Sequence, residues 1–153
     1  MAAESIVYAL AFGLVTSTLT GLLVPGIGLG GRLASSALGS LGDSSVATQV
    51  MISLGAGIYE ELLFRVILVS GLAWLARGVF GWTVTSSGLF AVAVGALIFS
   101  AFHYIGPYGD QLSLGSFAFR TVAGLLFSSL YLLRGFGITA WTHALYDVLL
   151  AAG

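Results

Sequence analysis

The sequence predicts an all-α fold, a polytopic transmembrane helix bundle of about five spans. Three observations carry that expectation. Of the 153 residues, 58% are hydrophobic and only 7% are charged, where a soluble domain carries roughly 25% charged residues. With a mean hydropathy of +1.06, the chain cannot cover a water-facing surface with polar groups. Its apolar residues also come in continuous runs of about span length, which suits helices better than the alternating strands of a barrel. The third observation is the 22 glycines, which fit close helix packing in lipid.

The five runs follow in order. Ser5–Val24 is 20 residues long and stops at Pro25 and Gly26. It lacks the basic start of a secretory signal, so it reads as a span and not as a cleavable leader. Val46–Ala76 is long enough to tilt or protrude. Thr83–Tyr104 ends at "GPYGD", and Leu114–Leu133 ends at "RGFG". Gly137–Ala152 is short for a span, since about 20 residues are needed to cross a hydrocarbon core of about 30 Å. Between the first two runs, "GIGLGGRLASSALGSLGDSS" reads as a loop or a short interfacial helix. We expect one membrane domain over residues 1–153. Its motif-bearing core is at about 46–152, and the span and linker of 1–45 carry no assigned role. Arg77 and Arg134 against Arg32 lean toward a cytoplasmic N-terminus.

Composition also removes whole classes of function. A net charge of −1 offers no basic field for nucleic acid. No cysteine is present, which excludes disulfides, thiolate catalysis and cysteine-bound metals. No lysine is present either, which excludes Schiff bases and a serine–lysine dyad. The absence of lysine and the glycine- and alanine-rich composition point to a prokaryotic, GC-rich source and so to a cytoplasmic membrane.

Seven ionisable residues interrupt the apolar runs: Glu60, Glu61, Arg65, His103, Arg120, His143 and Asp147. A charge deep in a bilayer costs about 2.5 kcal/mol or more, so such residues mark function by default. Helical spacing sorts them. Glu61 and Arg65 are four apart and can pair on one face. His143 and Asp147 have the same spacing in "HALYD", as do Phe99 and His103 in "FSAFH". Glu60 points about 100° away from Glu61 and has no partner on its own helix. The histidines of later helices are the obvious partners. Glu61–Arg65 also has a plain reading as a structural ion pair. Arg120 reads as an arginine reaching for the membrane interface. Glu60 lies mid-helix and His103 near a helix end. They meet only if the second helix protrudes or the "GPYGD" loop dips into the membrane.

Three short patterns on separate helices carry a resemblance: "EELLFR", "FSAFH" and "HALYD". The stretch "FRTVAGLLFSSLYLLRGFGITAWTHALYD" extends it. From about Ser53 onward the chain resembles the CPBP family, the CaaX proteases and bacteriocin-processing enzymes also called the Abi family. The resemblance implies an intramembrane endopeptidase acting on a membrane-associated or lipidated, CaaX-like substrate, with membrane lipids as its surroundings. It implies that Glu60 activates water with His103 as its partner. His143 and Asp147 would steady the oxyanion, Glu61 and Arg65 would form the supporting ion pair, and Phe99 would pack the motif. The family often has asparagine where this chain has Asp147. An ionised aspartate cannot donate to an oxyanion; it can act protonated, or only orient His143.

Members of the family have been described both as metalloproteases and as metal-free glutamate enzymes. Glu60, His103 and His143 could make a zinc site with one open position. No H-E-x-x-H pair preorganises two ligands, and the metal-free reading is favoured. Three rival functions remain on the residues alone. One is a proton-coupled transporter or channel using the Glu, His and Asp side chains as a relay. Another is haem binding through His103 and His143. The last is a catalytically inactive family member.

Overall fold

The computed structural model describes residues 2–24, 46–106 and 109–152. The expected loop or interfacial helix of residues 26–45 lies outside them. The described residues are mostly helical, with no strand among them. Helix α1 is Ala2–Leu23 and helix α2 is Val46–Glu61. A π-helical segment, Leu62–Val69, continues α2 without a break and runs into α3, Ser70–Phe80. Helices α4 (Val84–Phe102), α5 (Leu114–Arg134) and α6 (Phe136–Ala152) complete the bundle. Among the described residues, four rods are long and apolar enough to cross a membrane: α1, the stretch Val50–Phe80, α4 and α5.

The outside is far more apolar than that of a soluble protein, and polar side chains share the interior with apolar ones. Leu14, Leu22, Trp74 and Leu133 are largely exposed on the outside. The interior holds Thr16, Thr20, Ser100, Ser128, Thr139, Thr142 and the charged pair Glu61–Arg65. Apolar outer faces cost nothing in hydrocarbon, while buried polar groups are what an intramembrane site needs.

Helix α6 has 17 residues, or about 26 Å at 1.5 Å per residue, and is the short fifth run. It packs against α1, α2 and α5, and Ile138, Thr139, Ala140, Thr142, His143 and Ala144 are buried. Its lining is therefore protein more than lipid. The approach to α2 is close because Gly57 faces it. A Cβ at Gly57 would lie 2.9 Å from the backbone of Ala144, nearer than non-bonded carbons approach. On the other side, a Cβ at Gly124 of α5 would lie 3.0 Å from Cα of Ala96 in α4. These two contacts bring α2 against α6 and α5 against α4.

Chain length explains why Glu60 and His103 stand at the same level. The rod ending at Phe80 and helix α4 form an antiparallel hairpin around Gly81. Glu60 is 21 residues before Gly81 and His103 is 22 residues after it. The two arms are equal, so both residues stand about 30 Å from the turn. The two residues do meet, with Glu60 Oε2 3.9 Å from His103 Nε2. Residues 46–59 run a further 20 Å or so past the level of His103. Thr83 caps the start of α4 by accepting the Ser86 N–H at 3.2 Å, and Ser113 caps α5 through Ser116 at 3.2 Å.

Candidate active site

Glu60, Glu61, Arg65, His103, His143 and Asp147 come together from α2, the π-helical segment, the end of α4 and α6. The innermost part is Glu61. Its Oε2 lies 3.1 Å from Arg65 Nε, and its Oε1 accepts from His143 Nδ1 at 2.6 Å. Both Glu61 and Arg65 are 0% exposed. The Arg65 Nη atoms meet no oxygen acceptor among the described residues. Instead the guanidinium lies over the rings of Phe99, at 4.5 Å, and Phe127, at 5.6 Å. Aromatic faces offer a desolvated arginine partial negative charge where carbonyls are absent.

His143 is fixed twice over. Its Nδ1 is held by Glu61, and its ring stacks on Phe127 with centroids 4.4 Å apart and planes 20° from parallel. The remaining nitrogen, Nε2, faces Glu60 Oε2 at 3.9 Å and Asp147 Oδ2 at 3.7 Å.

His103 enters from the other side, just past the last residue of α4. Its Nδ1 lies 2.9 Å from the carbonyl of Phe99. A carbonyl only accepts, so Nδ1 carries the hydrogen and Nε2 presents a lone pair. That lone pair faces Glu60 Oε2 at 3.9 Å. Phe99 also packs edge-on against the His103 ring at 4.8 Å. The one residue therefore touches Arg65 and His103 and supplies the carbonyl that sets the His103 tautomer. Phe64 closes the same wall against Phe99 and Phe102.

The helix carrying Glu60 and Glu61 changes pitch directly after them. A wider π turn supplies Arg65, and at its end the Ser70 N–H reaches back to the Arg65 carbonyl. Ser70 Oγ donates to that carbonyl at 3.3 Å and meets Tyr131 Oη at 2.9 Å. Such bulges concentrate at functional sites.

Arg120 is 12% exposed and reaches back toward the start of α5, where it grips Asp110, Ser116 and Tyr104.

Sequence reasoning missed Phe127, the π segment, Tyr131 and Asp110. Spacing on a helix offered a hint of Phe127 only through the aromatic content of α5. Among the described residues, no three carboxylate or imidazole side chains converge as ligands of a metal ion.

Fold and site define an integral membrane protein with a carboxylate–imidazole centre enclosed by helices. The profile of the Rce1-like family, type II CAAX prenyl endopeptidase Rce1-like, matches residues 42–149. The chain belongs to that family, and at family level it is a CAAX-type intramembrane protease working in lipid on membrane-associated substrates. No curated protein and no solved structure matches the chain.

Proposed function

We propose that the protein hydrolyses a peptide bond of a lipidated, CaaX-like substrate with a water activated by Glu60 and His103. One observation carries the reading. Glu60 Oε2 stands 3.9 Å from Nε2 of histidines on two other helices. Two acceptors at that separation are too far apart for a direct hydrogen bond and suitably placed to share a water. A water oxygen about 2.8 Å from both sees them at an angle of about 90°, so it can give one hydrogen to each.

The reaction then balances with this chain's own groups. Glu60 takes a proton from the water as the oxygen attacks the scissile carbonyl carbon. The carbonyl electrons move to oxygen, giving a tetrahedral oxyanion. In its protonated form His143 donates to that oxyanion from Nε2, because Glu61 already occupies Nδ1. Asp147 contributes as a donor when protonated, and otherwise as the acceptor that orients His143. The intermediate collapses, the C–N bond breaks, and the proton held by Glu60 passes to the leaving amine. No step is routed through a metal. A chelator titration with metal analysis of the pure protein tests that choice: full activity in metal-free protein supports it, and loss restored by zinc overturns it. The glycine- and alanine-rich, lysine-free composition supports a prokaryotic cytoplasmic membrane as the setting.

The decisive experiment compares purified wild type with Glu60→Ala on prenylated and unprenylated C-terminal peptides. Cleavage by wild type and none by the variant is expected. Cleavage that survives Glu60→Ala overturns the assignment.

A further inference from the structure

Hydrolysis as proposed makes no use of Arg120, yet this arginine sits in an apolar helix at a cost. Its surroundings are organised. Nη1 donates to Ser116 Oγ at 2.6 Å and to Tyr104 Oη at 3.3 Å, while Nη2 holds the Asp110 carboxylate. Tyr104 Oη in turn donates to Ser116 Oγ at 2.8 Å, and the guanidinium carbon lies 5.5 Å from the Tyr104 ring centre.

Both routes out of this cluster end at His103. Tyr104 is the next residue in the chain. Asp110 gives its backbone N–H to the His103 carbonyl at 3.0 Å. That bond matters because α4 ends at Phe102: the carbonyls of Ser100, Ala101 and Phe102 are taken by the tight turn through His103, Tyr104 and Ile105, and the next carbonyl, that of His103, takes its hydrogen from Asp110. His103 is thus tied to α4 through its N–H on Ser100 and its ring on Phe99, and its own carbonyl is held from the far side by Asp110.

We infer that the Asp110–Arg120 pair is a positioning device for His103, holding the chain after α4 so that Nε2 stays aimed at Glu60. The plain alternative is a surface ion pair of little consequence. Three features favour positioning. The arginine is nearly buried, four groups converge on it or on one another, and the two outlets flank the same residue. Arg120 and Asp110 touch no reacting atom in this scheme and act only through His103. The inference rests on the role given to His103 under the proposed function.

The test uses the full chain in detergent with Arg120→Gln and the milder Asp110→Asn. A misplacement of about 1 Å can cost on the order of 10²-fold in rate. The expected result is a kcat lowered about 10- to 100-fold, with KM little changed. In a His103→Ala background the same substitutions should lower the residual rate no further. A readout independent of activity accompanies this. The chain has two histidines, so each imidazole signal can be assigned by one substitution in NMR spectra. The His103 signal should shift or broaden in both variants while that of His143 holds still. An unchanged His103 signal, or an equal further loss of rate in the His103→Ala background, overturns the inference. If wild type shows no Glu60-dependent hydrolysis, the proposed function falls, and the imidazole signals still decide the positioning claim.

Discussion

Glu60 and Glu61 are neighbours in sequence and occupy opposite halves of one site. The Glu61 half is closed. Its contacts to Arg65 and His143 are 3.1 and 2.6 Å, and Glu61 and Arg65 are wholly buried. The Glu60 half is open. Its separations from His103 and His143 are both 3.9 Å, and Glu60, His103 and Asp147 are 27%, 24% and 28% exposed. Short buried contacts fix geometry, and wider accessible gaps leave room for water and substrate. The difference assigns the two carboxylates different work. Glu61 sets where His143 stands, and in the proposed function Glu60 is the group that takes the proton from water.

The sharpest way to break this comparison is to remove each carboxylate in turn. Glu61→Ala should have the largest effect. It strands the Arg65 charge in the core, which costs about 3–5 kcal/mol, and frees the His143 ring. We expect loss of activity together with a clear drop in thermal stability in detergent. A stable but inactive Glu61→Ala would show that the closed half is not structural. Glu60→Gln should leave unfolding temperature nearly unchanged and lower kcat about 10²- to 10⁴-fold, the range for loss of a general base. If Glu60→Gln also unfolded the protein, the division between the halves would collapse.

A third substitution probes how the halves are brought together. Gly57 lies one turn before Glu61, and Ala144 follows His143. A methyl group at Gly57 would meet the Ala144 backbone at 2.9 Å, so Gly57→Ala must push α2 away from α6. Overpacking of this kind costs about 1–3 kcal/mol, and it should lengthen the Glu61–His143 contact. The expected result is a modest loss of stability with a loss of kcat larger than stability alone explains. Gly55 on the same helix has nothing within 4 Å of its added carbon. Gly55→Ala is therefore the control, and equal behaviour of the two variants would refute the close-approach argument.

Much of the fold was legible because lipid imposes one strong rule. Apolar runs must be helices, and among the described residues the five runs are α1, the continuous rod from α2 through the π segment to α3, α4, α5 and α6, with ends close to those read from Pro25, "GPYGD" and "RGFG". The faces of Glu61, Arg65, His143 and Asp147 followed from the 3.6-residue period. What was not legible lies between helices or off the regular pitch. Phe127 is one of many aromatics in α5, and nothing in its spacing says that it stacks on His143. The π segment leaves no mark in the hydropathy of "LLFRVILV". Asp110 belongs to a loop, where no periodicity constrains its partner. The common depth of Glu60 and His103 was legible in principle by counting both ways from Gly81. Counting along each run separately hides it.

The smallest expected effect concerns Asp147, and it sharpens the comparison most finely. Asp147 stands at the border of the two halves, with Oδ2 3.7 Å from the same His143 Nε2 that faces Glu60. An asparagine there keeps the volume and removes one carboxylate from a cluster that already holds two others. It also supplies an N–H that an ionised aspartate lacks. If Asp147 works as a donor in the open half, Asp147→Asn should keep or raise kcat. If instead its negative charge is what orients His143, the same change should lower activity while Glu61 still holds Nδ1. Steady-state rates on one prenylated peptide separate these outcomes. Complete loss in Asp147→Asn would move Asp147 from the open half into the closed one, beside Glu61, as a group that acts by fixing the ring and not by facing the substrate.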